Sequence, residues 1–189
     1  MFIILSGSSG AGKNTVINEL FKKDKRLQKF VTYTTRDMRE GEVNHINYHF
    51  ISREEFVNRQ ANGEFLEVES IHGNMYGSSA IDLVNAISNG QIVINDFGVE
   101  GVKNLQEKLK GKVDFITIFL SVPKETLRQR LIERGDKTES IETRMNRYDY
   151  ESSFASSYDY VIENINLDET LNTIQGIINK KLCNKEREQ

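Results

Sequence analysis

The stretch Gly7-Ser8-Ser9-Gly10-Ala11-Gly12-Lys13-Asn14-Thr15 limits what this chain can fold into more than any other part of it. An apolar, β-branched run at residues 2–5 precedes it, and Val16, Ile17, Leu20 and Phe21 follow at helical spacing. Strand, glycine-rich loop and helix in that order make a phosphate cradle. Glycines let successive backbone N–H groups converge on one point, the helix N-terminus adds partial positive charge, and Lys13 brings a full charge to the β- and γ-phosphates. The strict pattern has Ser or Thr directly after the lysine; here that place is taken by Asn14, with Thr15 next. A Mg²⁺ accompanying the nucleotide would then be held largely through waters and phosphate oxygens, which this ion tolerates. The glycines do not fall in the Gly-x-Gly-x-x-Gly order of a dinucleotide loop.

Further short apolar runs at residues 92–94, 115–120 and 160–162 suit buried parallel strands. Helical stripes separate them: Leu83, Ala86 and Ile87 after Ser79; Leu127, Leu131 and Ile132 after Pro123, which suits a first helical turn; and Leu167, Leu171, Ile174, Ile177 and Ile178 near the end. This alternation predicts an α/β domain with a parallel sheet. Two stretches break the rhythm. Residues 31–72 read as strand and turn, with one helix opening at Ser52, whose spacing to Glu55 is that of a capping box. Residues 135–157 are polar and carry no strand run. The expected organisation is a core of 1–30, 73–134 and 158–189, an insert at 31–72 and a second insert at 135–157. The charged tail at 180–189 is expected to fray.

Composition excludes several classes. The 189 residues fit one domain with small inserts. A net charge of -3 argues against nucleic acid as the main partner. The lone cysteine, Cys183, allows no internal disulfide, and His45, His49 and His72 have no Cys partner set for a structural zinc site. The opening apolar run is too short for a signal peptide or membrane span, so a cytoplasmic, membrane-free protein is expected.

Residues 32–39 read Thr32-Tyr33-Thr34-Thr35-Arg36-Asp37-Met38-Arg39. Two arginines three apart, flanked by hydroxyls, suit a phosphate monoester, to which Tyr48 and Tyr76 can add phenolic donors. Taken alone, the same cluster also reads as a solvated basic turn. Four blocks together are more specific: GSSGAGKNT, VTYTTRDMREGEVNHINYHF, GEFLEVESIHGNMYGSS and YDYVIEN. In order and spacing they resemble guanylate kinases over nearly the whole chain. That resemblance implies a P-loop NTPase fold with a three-layer parallel-sheet core, a mostly β GMP-binding insert and a helical lid. It implies that residues Gly7 to Thr15, including Ser8, Ser9, Gly10, Ala11 and Gly12, bind ATP. It further implies that Thr32, Arg36, Arg39, Tyr48 and Tyr76 hold the GMP phosphate and that Glu67 and Ser78 read guanine. Asp96 would sit near magnesium and the phosphates, and Arg130, Arg134 and Arg144 would be lid arginines. Lys13, Arg36, Arg39 and the three lid arginines are the expected catalytic cations; Asp96, Asn14 or Thr15 would meet Mg²⁺ through water.

The chemistry agrees with that assignment. Guanine presents N1–H and a 2-amino group as adjacent donors that one carboxylate can accept, whereas adenine offers a lone pair there; such donor–acceptor matching discriminates by about 10⁴ or more. Outside that context Glu67 reads as a solvated strand carboxylate. The chain departs from the family at Gly98, where a second aspartate is usual, so Glu69 or Glu100 would compensate or discrimination at the 2-amino group would be relaxed. Val68 replaces a bulky aromatic, and the lid runs one residue short. The Asp-Phe-Gly triplet at 96–98 stands without any other protein-kinase signature. The expected function is ATP-dependent phosphorylation of GMP, with dGMP alongside, by a monomer or small homo-oligomer. The alternatives are a kinase of the same scaffold for another nucleotide or a sugar phosphate, and a non-catalytic binding module.

Overall fold

A strand with no polar residue before its final Ser-Gly can only be an interior strand, and Phe2–Gly7 (β1) is buried along its full length. In the computed structural model of the protein, which describes residues 1–71 and 73–187, β1 is the middle strand of a five-stranded parallel sheet. The other strands are Leu27–Lys29 (β2), Ile92–Asp96 (β7), Phe115–Ser121 (β8) and Tyr160–Glu163 (β9), in the order β2-β7-β1-β8-β9. The three apolar runs read from the sequence are β7, β8 and β9. Strand β2 had no legible signal: Leu-Gln-Lys has no period, and only its parallel pairing, Leu27 with Ile92 through Lys29 with Ile94, makes it a strand.

The chain divides into two compact units: Met1–Ile4 with Arg26–Ile116, and Leu5–Lys25 with Thr117–Gln189. In the first, Phe2 packs edge-on against Phe30 and Phe97, with ring centroids 5.2 and 5.9 Å apart. This unit carries a second sheet of Tyr33–Thr34 (β3), His49–Phe50 (β4), Phe65–Ile71 (β5) and Asn74–Ser79 (β6), in the order β4-β3-β6-β5. Strand β6 lies just past residue 72, where the insert is expected to end, and pairs antiparallel with both β3 and β5. Helix Arg53–Ala61 (α2) starts where the sequence predicts, with the Ser52 hydroxyl accepting from the Glu55 N–H at 3.1 Å. Helix Ala80–Ser88 (α3) is capped by Ser79 through the Asp82 N–H. Helix Val99–Leu109 (α4) was not anticipated, although its buried Val99, Val102, Leu105 and Leu109 have a helical spacing that could have been read.

In the second unit, helix Lys13–Lys23 (α1) buries Val16, Ile17 and Leu20. Helix Lys124–Glu133 (α5) follows Pro123, which is the cap residue with extended backbone rather than a residue of the first turn. Residues 135–157 carry helix Thr138–Ser153 (α6) and a single 3-10 turn at Ala155–Ser157. Helix Leu167–Arg187 (α7) includes residues 180–187 of the tail expected to fray, whose last two residues lie outside the described ones; its start is fixed by Asn166, whose side-chain oxygen accepts from the N–H groups of Asp168 and Glu169. Among the described residues no helix is long and apolar enough to cross a membrane.

Candidate functional site

Each unit carries one of the two candidate anion sites. In the second unit, β1 ends at Gly7, with φ 143°, in a loop that closes on α1 through Gly12, with φ 90° at the N-cap. Both conformations favour glycine, and both places are tight. A Cβ on Gly7 would stand 2.4 Å from the Leu120 carbonyl oxygen, and one on Gly12 would stand 2.8 Å from Asn164 Nδ2. Lys13 arches back over the loop and donates to the carbonyl oxygens of Gly7 at 2.7 Å and Ser8 at 3.3 Å. Buried Asn164 braces the loop from below by donating to the Ala11 carbonyl at 2.7 Å. Asn164 closes the block YDYVIEN, to which the sequence assigned no site role.

The polar segment at 135–157 supplies this loop with side chains. Arg144 donates to the Ser9 hydroxyl, and its guanidinium lies 3.5 Å from Asp136. Glu151, which the sequence reading passed over, accepts from the Ser9 N–H at 3.2 Å and pairs with Arg147 at 3.4 Å. Of the three expected lid arginines, Arg144 thus meets the loop directly. Arg130 donates to the carbonyls of Asn164, at 2.8 Å, and Ile165, at 3.3 Å. Arg134 forms a two-pronged pair with Asp136 at 2.7 and 2.6 Å.

In the first unit, the guanidinium of Arg36 forks onto Glu42 at 3.0 and 2.7 Å and lies over the rings of Tyr48 and Phe50, 5.6 and 5.5 Å from their centroids. The Arg39 N–H donates to the same carboxylate at 2.7 Å, while the Arg39 side chain is exposed. Arg36 and then the Arg39 N–H hold the Glu42 carboxyl down to about 2. Tyr48 and Tyr76 meet edge to face at 5.9 Å, and Thr32 is buried. So in each unit an internal carboxylate, Glu42 or Glu151, sits on donors well suited to a phosphate oxygen. Lys29 was not anticipated. Its ammonium donates to the Asn47 carbonyl at 2.7 Å, 5.0 Å from the Tyr48 ring centre. Burial pushes its pKa down while Asp96 and Glu42 oppose that.

Behind this cluster, Glu67 on β5 and Ser78 on β6 are cross-strand partners, 7% and 0% exposed. The Ser78 hydroxyl donates to Glu67 Oε1 at 2.9 Å. Burial pushes the Glu67 carboxyl up to about 7; the Ser78 bond opposes this, Glu69 adds to it and Lys108 lessens it. Asp96 ends β7 half-buried, and Gly98 caps α4. His45 and His49 face each other through Nδ1 at 2.8 Å; His72 lies outside the described residues. Among the described residues no cluster of three or more His, Cys, Asp or Glu could hold a metal ion.

A family model described as guanylate kinase matches residues 1–181. A guanylate kinase of Clostridium perfringens is 35% identical over 189 residues, covering 99% of this chain and 86% of its own. One of Prochlorococcus marinus subsp. pastoris is 38% identical over 178 residues, covering 93% and 95%. The crystal structure of guanylate kinase from Anaplasma phagocytophilum matches with a TM-score of 0.74 and 28% identity, covering 96% of this chain and 85% of the other.

Proposed function

The chain belongs to the guanylate kinase family, and on that premise we propose how its residues divide the work of phosphorylating GMP to GDP with ATP as donor. The loop unit takes ATP. The N–H groups of residues 7–15 and the Lys13 ammonium receive its phosphates, and Arg144 at Ser9 adds a cation over the loop. The other unit takes GMP. Arg36, with Arg39, Tyr48, Tyr76 and Thr32, receives the acceptor phosphate in place of Glu42, and Glu67 with Ser78 receives guanine. Arg130, Arg134 and Asp96 keep their expected roles beside the phosphates. dGMP, which presents the same base and phosphate, is expected to be a substrate as well.

The acceptor needs no general base. The second pKa of a phosphate monoester is about 6, so it is largely dianionic near neutral pH. One of its oxygens forms the new bond to the γ-phosphorus, and the bond from that phosphorus to the β–γ bridging oxygen breaks, leaving ADP. Little covalent work remains for the protein, whose contribution is positioning and charge. Mg²⁺ bound with ATP would supply further positive charge, and Asp96, Asn14 or Thr15 would meet it through water.

The observation that carries this assignment is buried Glu67. A carboxylate held inside a sheet by a single hydroxyl is costly to the fold unless a ligand with paired N–H donors uses it. A coupled ADP-release assay over GMP, dGMP, IMP, AMP, CMP and UMP, with and without Mg²⁺, tests it. Mg²⁺-dependent turnover strongest with GMP is expected; equal rates for AMP and GMP would remove Glu67 from its role.

A further inference from the structure

We infer that Glu69 is a specificity-determining residue for the acceptor base, a second carboxylate that takes the outer hydrogen of the guanine 2-amino group beside Glu67. The inference rests on the reading of Glu67 as the base-binding carboxylate, and Gly98 is what points to it. The backbone at Gly98 has φ −64° and ψ 157°, which any residue adopts, so conformation does not ask for glycine there. Space does. A Cβ at 98 would stand 2.9 Å from Glu69 Oε1, 3.4 Å from Oε2 and 3.5 Å from Cδ. The carboxylate lies across the α-carbon of Gly98 and fills the volume that any side chain at 98 would need.

One turn further along α4 the arrangement repeats. A Cβ on Gly101 would stand 3.3 Å from Glu67 Oε2. Glycines at the cap and in the first turn of α4 thus open two adjoining hollows, and alternate residues of β5 fill them with carboxylates. Strand geometry puts Glu67 and Glu69 on one face, and their cross-strand partners Ser78 and Tyr76 share it. The start of a helix is favourable ground for negative charge, yet two adjacent carboxylates still repel each other. Glu100, the other carboxylate the sequence offered in compensation, is solvent-exposed on α4, and the contact at Gly98 belongs to Glu69.

Guanine presents three N–H hydrogens in a row along one edge. A single carboxylate can accept N1–H and the nearer amino hydrogen side by side. The outer amino hydrogen points past that carboxylate and needs another acceptor, and leaving it unmet forfeits binding to the base that carries it. IMP lacks the amino group, so Glu69 should contribute to binding GMP and not IMP.

The test uses the full-length protein and the GMP/IMP ratio of kcat/KM, for wild type, Glu69→Ala and Gly98→Ala. The first variant removes the carboxylate; the second keeps it but displaces it with a methyl group. Both should lower the ratio roughly 10- to 100-fold, with the loss falling on GMP. Circular dichroism confirms folding, and Glu69→Gln serves as a second removal of charge should Gly98→Ala fail to fold. A ratio in Glu69→Ala within about twofold of wild type, with normal wild-type turnover of GMP, overturns the role of Glu69 alone. A wild-type chain that does not turn over GMP would overturn the proposed function and this assignment with it.

Discussion

Replacing Glu67 with Gln should make the protein more stable at alkaline pH while spoiling its recognition of GMP. The Glu67 carboxyl is pushed from its ordinary value of 4.5 up to about 7, first of all by burial. A carboxyl whose folded value exceeds its unfolded one holds its proton more tightly in the folded state. The fold is therefore destabilised progressively as pH rises from about 4.5 to 7, and by a constant amount above that. At 1.36 kcal/mol per pH unit the full effect is about 3 kcal/mol. Gln is nearly isosteric, keeps an oxygen for the Ser78 hydroxyl and stays neutral. The stability advantage of Glu67→Gln should be near zero at pH 4, about 1 kcal/mol at pH 5 and about 3 kcal/mol at pH 8. Urea denaturation at constant ionic strength reads this directly. An advantage that fails to widen between pH 5 and pH 8, or a variant less stable than wild type at pH 8, would refute burial as the dominant influence on Glu67. GMP affinity should run the other way in wild type. Only the ionised carboxylate accepts both N–H donors, so the affinity should rise roughly tenfold between pH 6 and pH 8, beyond any rise that persists in Glu67→Gln.

Two further outcomes follow from the loop. Lys13→Ala should lower kcat by about 10²- to 10³-fold while GMP binding, measured by calorimetry, persists, since the GMP donors belong to the other unit; near-normal turnover would remove Lys13 from the reaction. Gly7→Ala forces a methyl to within 2.4 Å of a strand carbonyl at a φ that L-residues avoid, so a loss of about 3 kcal/mol or more in a urea titration is expected, and a midpoint close to wild type would show that β1 can shift away from β8.

Where sequence and structure part company, the causes are local and specific. The capping pair Ser52–Glu55, the strand runs of β1, β7, β8 and β9, and the loop at residues 7–15 were legible because each is decided within a few residues by periodicity or hydrogen bonding. Strand β2 was not, because three residues become a strand only by pairing with β7. The place of β6 in the second sheet was not legible for the same reason: it pairs with β3, far back in the chain, as well as with the adjacent β5.

The order of the elements, the phosphate loop and the types of residue offered to each anion were set by the sequence itself, since glycine spacing, strand and helix periods and the chemistry of Arg, Lys and Glu do not depend on distant neighbours. Which of those residues meet was decided only by the tertiary structure. Glu151 on the Ser9 N–H, Asn164 beneath Ala11, Lys29 beside Tyr48 and Glu69 against Gly98 are contacts between segments far apart in the chain, or across a strand and a helix. No local pattern encodes them, because the packing of separate elements, and not the spacing along one of them, brings those atoms within reach.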